Sequence, residues 1–269
     1  MIAAVVFPFD LFGSPGAGAG ATLLADELRE MLADNKRETA LTRAAAYSPQ
    51  VKIREASFST LDDYSDWRAT GRKLARAVLS RGDFLLWLAG NHLGALPVHD
   101  ELGEDALVVQ LDAHLDIHAF RDTREELSHG NFLLHTEGKA SVVNVGHRDL
   151  LLVPDQVAKH YRTTISAAQL AADPAGALER LRGIVSSGRR VFLDLDCDVF
   201  DPSWFPAVGT PVPFGLMPGQ VLALLDAVGP KRLAGMLVSE FDPARDEKDR
   251  SLSALAWLVE HLLLTRCEP

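Results

Sequence analysis

Two short apolar runs in this chain stop on clusters of acids and histidine, and that pattern leaves few folds open. Val108-Val109-Gln110-Leu111 passes directly into Asp112-Ala113-His114-Leu115-Asp116, and Val191-Phe192-Leu193 into Asp194-Leu195-Asp196-Cys197-Asp198. Runs this short and apolar, rich in branched residues, read as strands buried on both faces, as in parallel sheets covered by helices. In such sheets ligands bind at the carboxyl ends of the strands, so both clusters fall on the edge where a site forms. Alternate residues of a strand share a face, which predicts Asp194, Asp196 and Asp198 together on one side of a buried strand. Buried unpaired charges are costly enough to require cations or protons. A bound cation is the simplest resolution, and the mixture of Asp and His suits a divalent transition metal such as Mn²⁺ better than Ca²⁺. A lone Asp at a strand end is usually a cap and a lone His usually a core residue; the signal is the pair of clusters.

The rest of the chain repeats the same plan. Strands are expected at Ile2–Phe7, Val51–Phe58, Phe84–Ala89, Leu107–Leu111, Ser141–Val145, Arg162–Ile165, Val191–Cys197 and Leu233–Val238, with helical patterns between several of them. Leu24, Leu28, Met31 and Leu32 lie on one helical face, as do Leu74 and Val78, and Pro218 opens a helix carrying Val221, Leu222 and Leu225. Ser251–Thr265 reads as a core helix packed back on the sheet. Strand alternating with helix predicts an α/β fold: one three-layer domain over residues 1–269, with a mostly parallel sheet of about eight strands. No linker divides it. The stretch Gly13–Gly20 follows the first strand but lacks both the Rossmann glycine spacing and the Lys-Ser/Thr ending of a P-loop, so it is expected to be a mobile loop at the mouth of the site.

Charge narrows the partners. A formal net charge of −10 disfavours nucleic acid and anionic membranes and favours a cationic substrate. No run approaches membrane-spanning length. Cys197 and Cys267 offer no disulfide framework, which with the lack of a basic leader predicts a soluble cytoplasmic protein.

In order along the chain, further segments join the two clusters: Ala89-Gly90-Asn91-His92-Leu93, Ser128-His129-Gly130, Asp201-Pro202, Gly209-Thr210-Pro211 and Glu240-Phe241-Asp242-Pro243. Together they resemble the ureohydrolases, the family of arginase, agmatinase and formimidoylglutamase. Asp112 to Asp116 is similar to that family's D-A-H-x-D motif, and Asp196 to Pro202 to its D-x-D-x-x-D-P motif. The resemblance implies an arginase-like fold and two Mn²⁺ per chain. One ion would be held by His92, Asp112, Asp116 and Asp196, the other by Asp112, His114, Asp196 and Asp198, with Asp112 and Asp196 bridging. The distance to Asp201-Pro202 selects Asp196 and Asp198 over Asp194, which would stand behind the ligands. Where the family usually reads G-G-D-H-S, Asn91 and Leu93 flank His92 here, as in a branch that includes peptide-modifying arginases.

The resemblance further implies hydrolysis of a guanidino group to urea and an amine, with Glu240 holding the guanidinium and His129 passing a proton; His118 competes for the latter place or contacts substrate. Arg121, Arg124 and Glu125 are candidates for the distal end of the substrate, a carboxylate suiting the arginines and an amine the glutamate. Free arginine, agmatine, a formimidoyl or guanidino acid and an arginine-containing peptide all stay open as substrates, and a homo-oligomer is open as assembly. Two other classes compete: a non-catalytic relative that binds metal or ligand without turnover, and an amide hydrolase of deacetylase type using one zinc.

Overall fold

A computed structural model describes residues 1–119, 126–186 and 189–268. Its strands are β1 (Ile2–Phe7), β2 (Val51–Glu55), β3 (Phe84–Ala89), β4 (Ala106–Leu111), β5 (Ser141–Val145), β6 (Thr163–Ile165), β7 (Arg190–Asp196) and β8 (Leu233–Ser239). They form one eight-stranded sheet in the order β2-β1-β3-β8-β7-β4-β5-β6. Every pairing in it is parallel. All carboxyl ends therefore lie on one edge. Of the four central strands, β3, β8 and β4 are followed by His92, Glu240 and Asp112, and β7 ends on Asp196.

Helices cover both faces because the central strands are apolar on both. On one face Val6, Leu86, Val109, Leu193 and Val238 pack with Leu24 and Leu28 of the helix Ala17–Arg37, with Leu181, and with Leu255 and Leu262 of the helix Arg250–Cys267. On the other, Phe7, Trp87, Val108, Phe192 and Leu237 meet Trp67, Ala75 and Val78 of the helix Trp67–Leu79, together with Leu96 and Val98.

Two expectations are corrected. The second strand ends at Glu55 rather than Phe58; β2 is an edge strand, and Phe58 leaves the ladder to set its ring edge-on to Phe7 at 5.1 Å. The glycine-rich stretch is only half a loop: Gly16 turns at φ 99 and the helix begins at Ala17. The glycines there serve close approach. A Cβ on Gly20 would stand 1.8 Å from the Phe241 carbonyl oxygen and one on Gly18 2.6 Å from that of Pro8, so only bare backbone lets the helix start against the strand ends. Asp10 completes the turn by accepting from the backbone N–H groups of Gly16 and Gly18, at 3.0 and 3.3 Å.

Candidate metal centre

Each central strand delivers its chemistry at or just past its last residue. His92 opens a 3₁₀ turn three residues beyond β3, and Asp112 is the first residue after β4. Asp196 closes β7 and accepts from the Asp198 backbone N–H at 2.9 Å, starting the 3₁₀ turn Cys197–Val199. That turn corrects the expected face of three carboxylates: the strand carries Asp194 and Asp196, whereas Asp198 leaves it and points to His114, Oδ2 to Nδ1 at 2.8 Å. Arg148 secures the turn by donating to the carbonyls of Asp198, Val199 and Val212 at 2.7, 2.8 and 3.0 Å.

The donor atoms converge instead of pairing off. His92 Nδ1 lies 2.9 Å from Asp116 Oδ2, 2.9 Å from Asp196 Oδ2 and 3.4 Å from Asp112 Oδ2. Yet His92 Nδ1, Asp112 Oδ2 and Asp116 Oδ2, all buried, make no hydrogen bond of acceptable geometry. Unsatisfied buried donors and acceptors are rare, and a nest of them that includes carboxylates and an imidazole fits a divalent cation. Within 4.8 Å of one another stand ligand atoms of His92, Asp112 and Asp116, and likewise of Asp112, His114 and Asp198. Asp112 is common to both groups. Asp196 joins through His92.

Burial sets these like charges against one another. Burial, reinforced by Asp116 and Asp198, pushes the Asp112 carboxyl up to about 8, and burial with the neighbouring Asp198 raises Asp196. Burial alone would lower both imidazoles, but the surrounding aspartates outweigh it, raising His92 and leaving His114 at about 10. The charges thus ask for positive partners, protons or metal.

Beside this nest sits Glu240, 3% exposed and held at φ 64, a left-handed conformation uncommon for any residue but glycine. Its Oε1 accepts from the His92 backbone N–H at 2.8 Å and lies 3.2 Å from His129 Nδ1. The contact with Glu240 is the main cause of a raised His129 pKa. His129 keeps 34% of its side chain exposed, so it spans from the buried carboxylate to solvent. His118 pairs with Asp149, its Nε2 2.6 Å from Asp149 Oδ2. Arg121, Arg124 and Glu125 lie outside the described residues.

Several supporting residues escaped the sequence reading. His99 reaches Asp194 at 2.8 Å. Tyr161 accepts from the Asp116 backbone N–H at 3.2 Å and donates to Gln110 at 3.1 Å, while Asn144 donates to the His114 carbonyl at 2.9 Å. Polar Gln110 and Asn144 at paired positions of otherwise apolar strands were the available signal.

A parallel α/β sandwich with His and Asp converging at the carboxyl ends of its central strands defines the class: an α/β protein with buried His/Asp clusters that could hold divalent cations. Comparison with known proteins makes this particular. The model of the arginase family matches residues 1–265, and the chain belongs to that family. Agmatinase of Proteus mirabilis is 29% identical over 205 residues, covering 74% of this chain and 64% of that enzyme. Agmatinase of Escherichia coli O9:H4 (strain HS) is 27% identical over 208 residues, 74% of this chain and 66% of its own. The matched segment thus spans slightly less than two thirds of these relatives. In fold, arginase from Bacillus subtilis superposes with a TM-score of 0.78 at 21% identity, covering 98% of both chains. Formimidoylglutamase from Bacillus subtilis gives 0.76 at 17% identity, covering 99% of this chain and 86% of its own. Among the described residues no helix is long and apolar enough to cross a membrane.

Proposed function

We propose that the chain, acting as one catalytic domain over residues 1–269, hydrolyses the guanidino group of a small cationic substrate to urea and an amine. The observation that carries this reading is the juxtaposition of two His/Asp groups sharing Asp112 with the Glu240–His129 pair beside them. His92, Asp112, Asp116 and Asp196 would hold one Mn²⁺, and Asp112, His114, Asp196 and Asp198 the other. Two such ions would lower the pKa of bound water enough to supply a hydroxide nucleophile near neutral pH. Everything else falls to the protein. Glu240 receives the guanidinium through paired N–H donors and sets its carbon over the nest, which is the positional part of the rate. The bond that Oε1 accepts from the His92 backbone restrains the carboxylate in this position. His129 exchanges a proton with solvent and delivers it to the departing nitrogen.

Agmatine is the first substrate to test, since the sequence relatives described above are agmatinases; arginine, a formimidoyl acid and an arginine peptide follow. The test is release of urea, or of formamide, across this series by the manganese-loaded chain, alongside its metal content. About two ions with turnover support the hydrolase. One ion favours the deacetylase-type alternative, and two ions with no turnover of any guanidino compound sink the proposal in favour of a binding protein.

A further inference from the structure

The back of the His92 ring is as carefully occupied as its front. Nδ1 faces Asp112, Asp116 and Asp196, whereas Nε2 lies 3.2 Å from Asp194 Oδ2. The same oxygen receives His99 Nε2 at 2.8 Å. Asp194 is fully buried and its other oxygen, Oδ1, has no hydrogen-bond partner, so among the described residues the two imidazoles alone orient this carboxylate. Phe132 closes the arrangement from the side, its ring centroid 4.9 Å from that of His92 and 5.3 Å from that of His99. The chain neighbour Asn91 takes no part; its Nδ2 donates to the Leu11 carbonyl at 3.0 Å.

We propose that Asp194 and His99 are a positioning pair that fixes the tautomer and ring angle of His92 for cation binding. A neutral imidazole carries one N–H. With a carboxylate waiting at Nε2, the hydrogen resides there and the Nδ1 lone pair faces the three aspartates, the arrangement by which an outer carboxylate orients a metal-binding histidine. His99 contributes by donating to the same Oδ2, which keeps that oxygen aligned with the His92 ring rather than turned toward the free side. Neither Asp194 nor His99 faces the nest, so neither is assigned as a ligand or as a catalytic residue. This inference rests on the two-metal reading above and adds to it the residues that select one ligand's geometry.

Manganese titration of the purified full chain, followed by the electron paramagnetic resonance signal of free Mn²⁺, tests it. Asp194→Ala should leave one class of ion at wild-type affinity and weaken the other by about 10–100-fold, the range for removing such a partner. Asp194→Asn, nearly isosteric and still able to accept from Nε2–H, should lose less. His99→Gln should lie closer to wild type than His99→Ala. In the diamagnetic zinc-loaded chain, ¹⁵N NMR should find His92 as the Nε2–H tautomer in the wild type and as a mixture in Asp194→Ala. A purely structural role would instead lower thermal stability without separating the two affinities. The inference is overturned if Asp194→Ala and Asp194→Asn keep both affinities and the tautomer, or if either strips both ions and so marks Asp194 as a ligand. A wild-type chain that binds no manganese overturns the two-metal reading itself, an outcome distinguishable because it appears before any substitution is made.

Discussion

Replacing Glu240 by Gln separates what this residue does for the fold from what it does for substrate. The side chain is 3% exposed, its Oε1 accepts from the His92 backbone N–H at 2.8 Å, and a Gln carbonyl can accept the same bond. The backbone before the first ligand should therefore stay in place and both ions should remain bound. What is lost is the negative charge offered to the guanidinium, a charge-assisted contact worth about 1.5–3 kcal/mol, equivalent to roughly a tenfold to 150-fold fall in kcat/KM. The loss should be similar for agmatine and arginine, because Glu240 would read the group they share. A second readout follows from the contact with His129. Glu240 raises that imidazole's pKa by stabilising its protonated form, so removing the charge lowers it and moves the His129 limb of the pH–rate profile to lower pH. Urea release across pH, with metal content measured on the same samples, checks both. Wild-type kcat/KM within a factor of three for both substrates, with an unmoved limb, would refute the assignment.

Other expectations follow. Asp112→Ala and Asp196→Ala should each abolish activity and deplete both ions in elemental analysis, since each faces the shared nest. His129→Ala should retain two ions while turnover drops by about 10²–10⁴-fold, with partial recovery on adding imidazole. Chelation should lower the melting temperature, and added Mn²⁺ should restore it with concentration, by about 2.7 kcal/mol for a site at a hundredfold excess over its Kd. Gly20→Ala should destabilise the chain by about 1–3 kcal/mol in urea unfolding, because its Cβ would press 1.8 Å from the Phe241 carbonyl, the residue after Glu240.

The chemistry at the strand ends was legible because it is local. An apolar run, a turn and a cluster of ionisable residues are written in consecutive positions, so β4 with Asp112-Ala113-His114-Leu115-Asp116 and β7 with Asp194 and Asp196 could be read without knowing their neighbours. The parallel sheet followed from the alternation of strand and helix. Sequence order, however, carries no information about which strands lie side by side: that β3, β8, β7 and β4 are adjacent, bringing residues as distant as His92 and Glu240 together so that the Glu240 carboxylate accepts from the His92 backbone N–H, is decided by the packing of the whole sheet. Periodicity also misplaced Asp198, since a strand pattern cannot announce that the chain will turn into a 3₁₀ helix at Cys197. His99 was invisible for a related reason. Within an apolar segment it reads as a core histidine, and only the fold sets it against Asp194, whose buried charge it helps to satisfy. Local sequence therefore determined which residues can bind a cation, while tertiary structure decided which of them meet, because burial and charge act between groups that the chain itself keeps far apart.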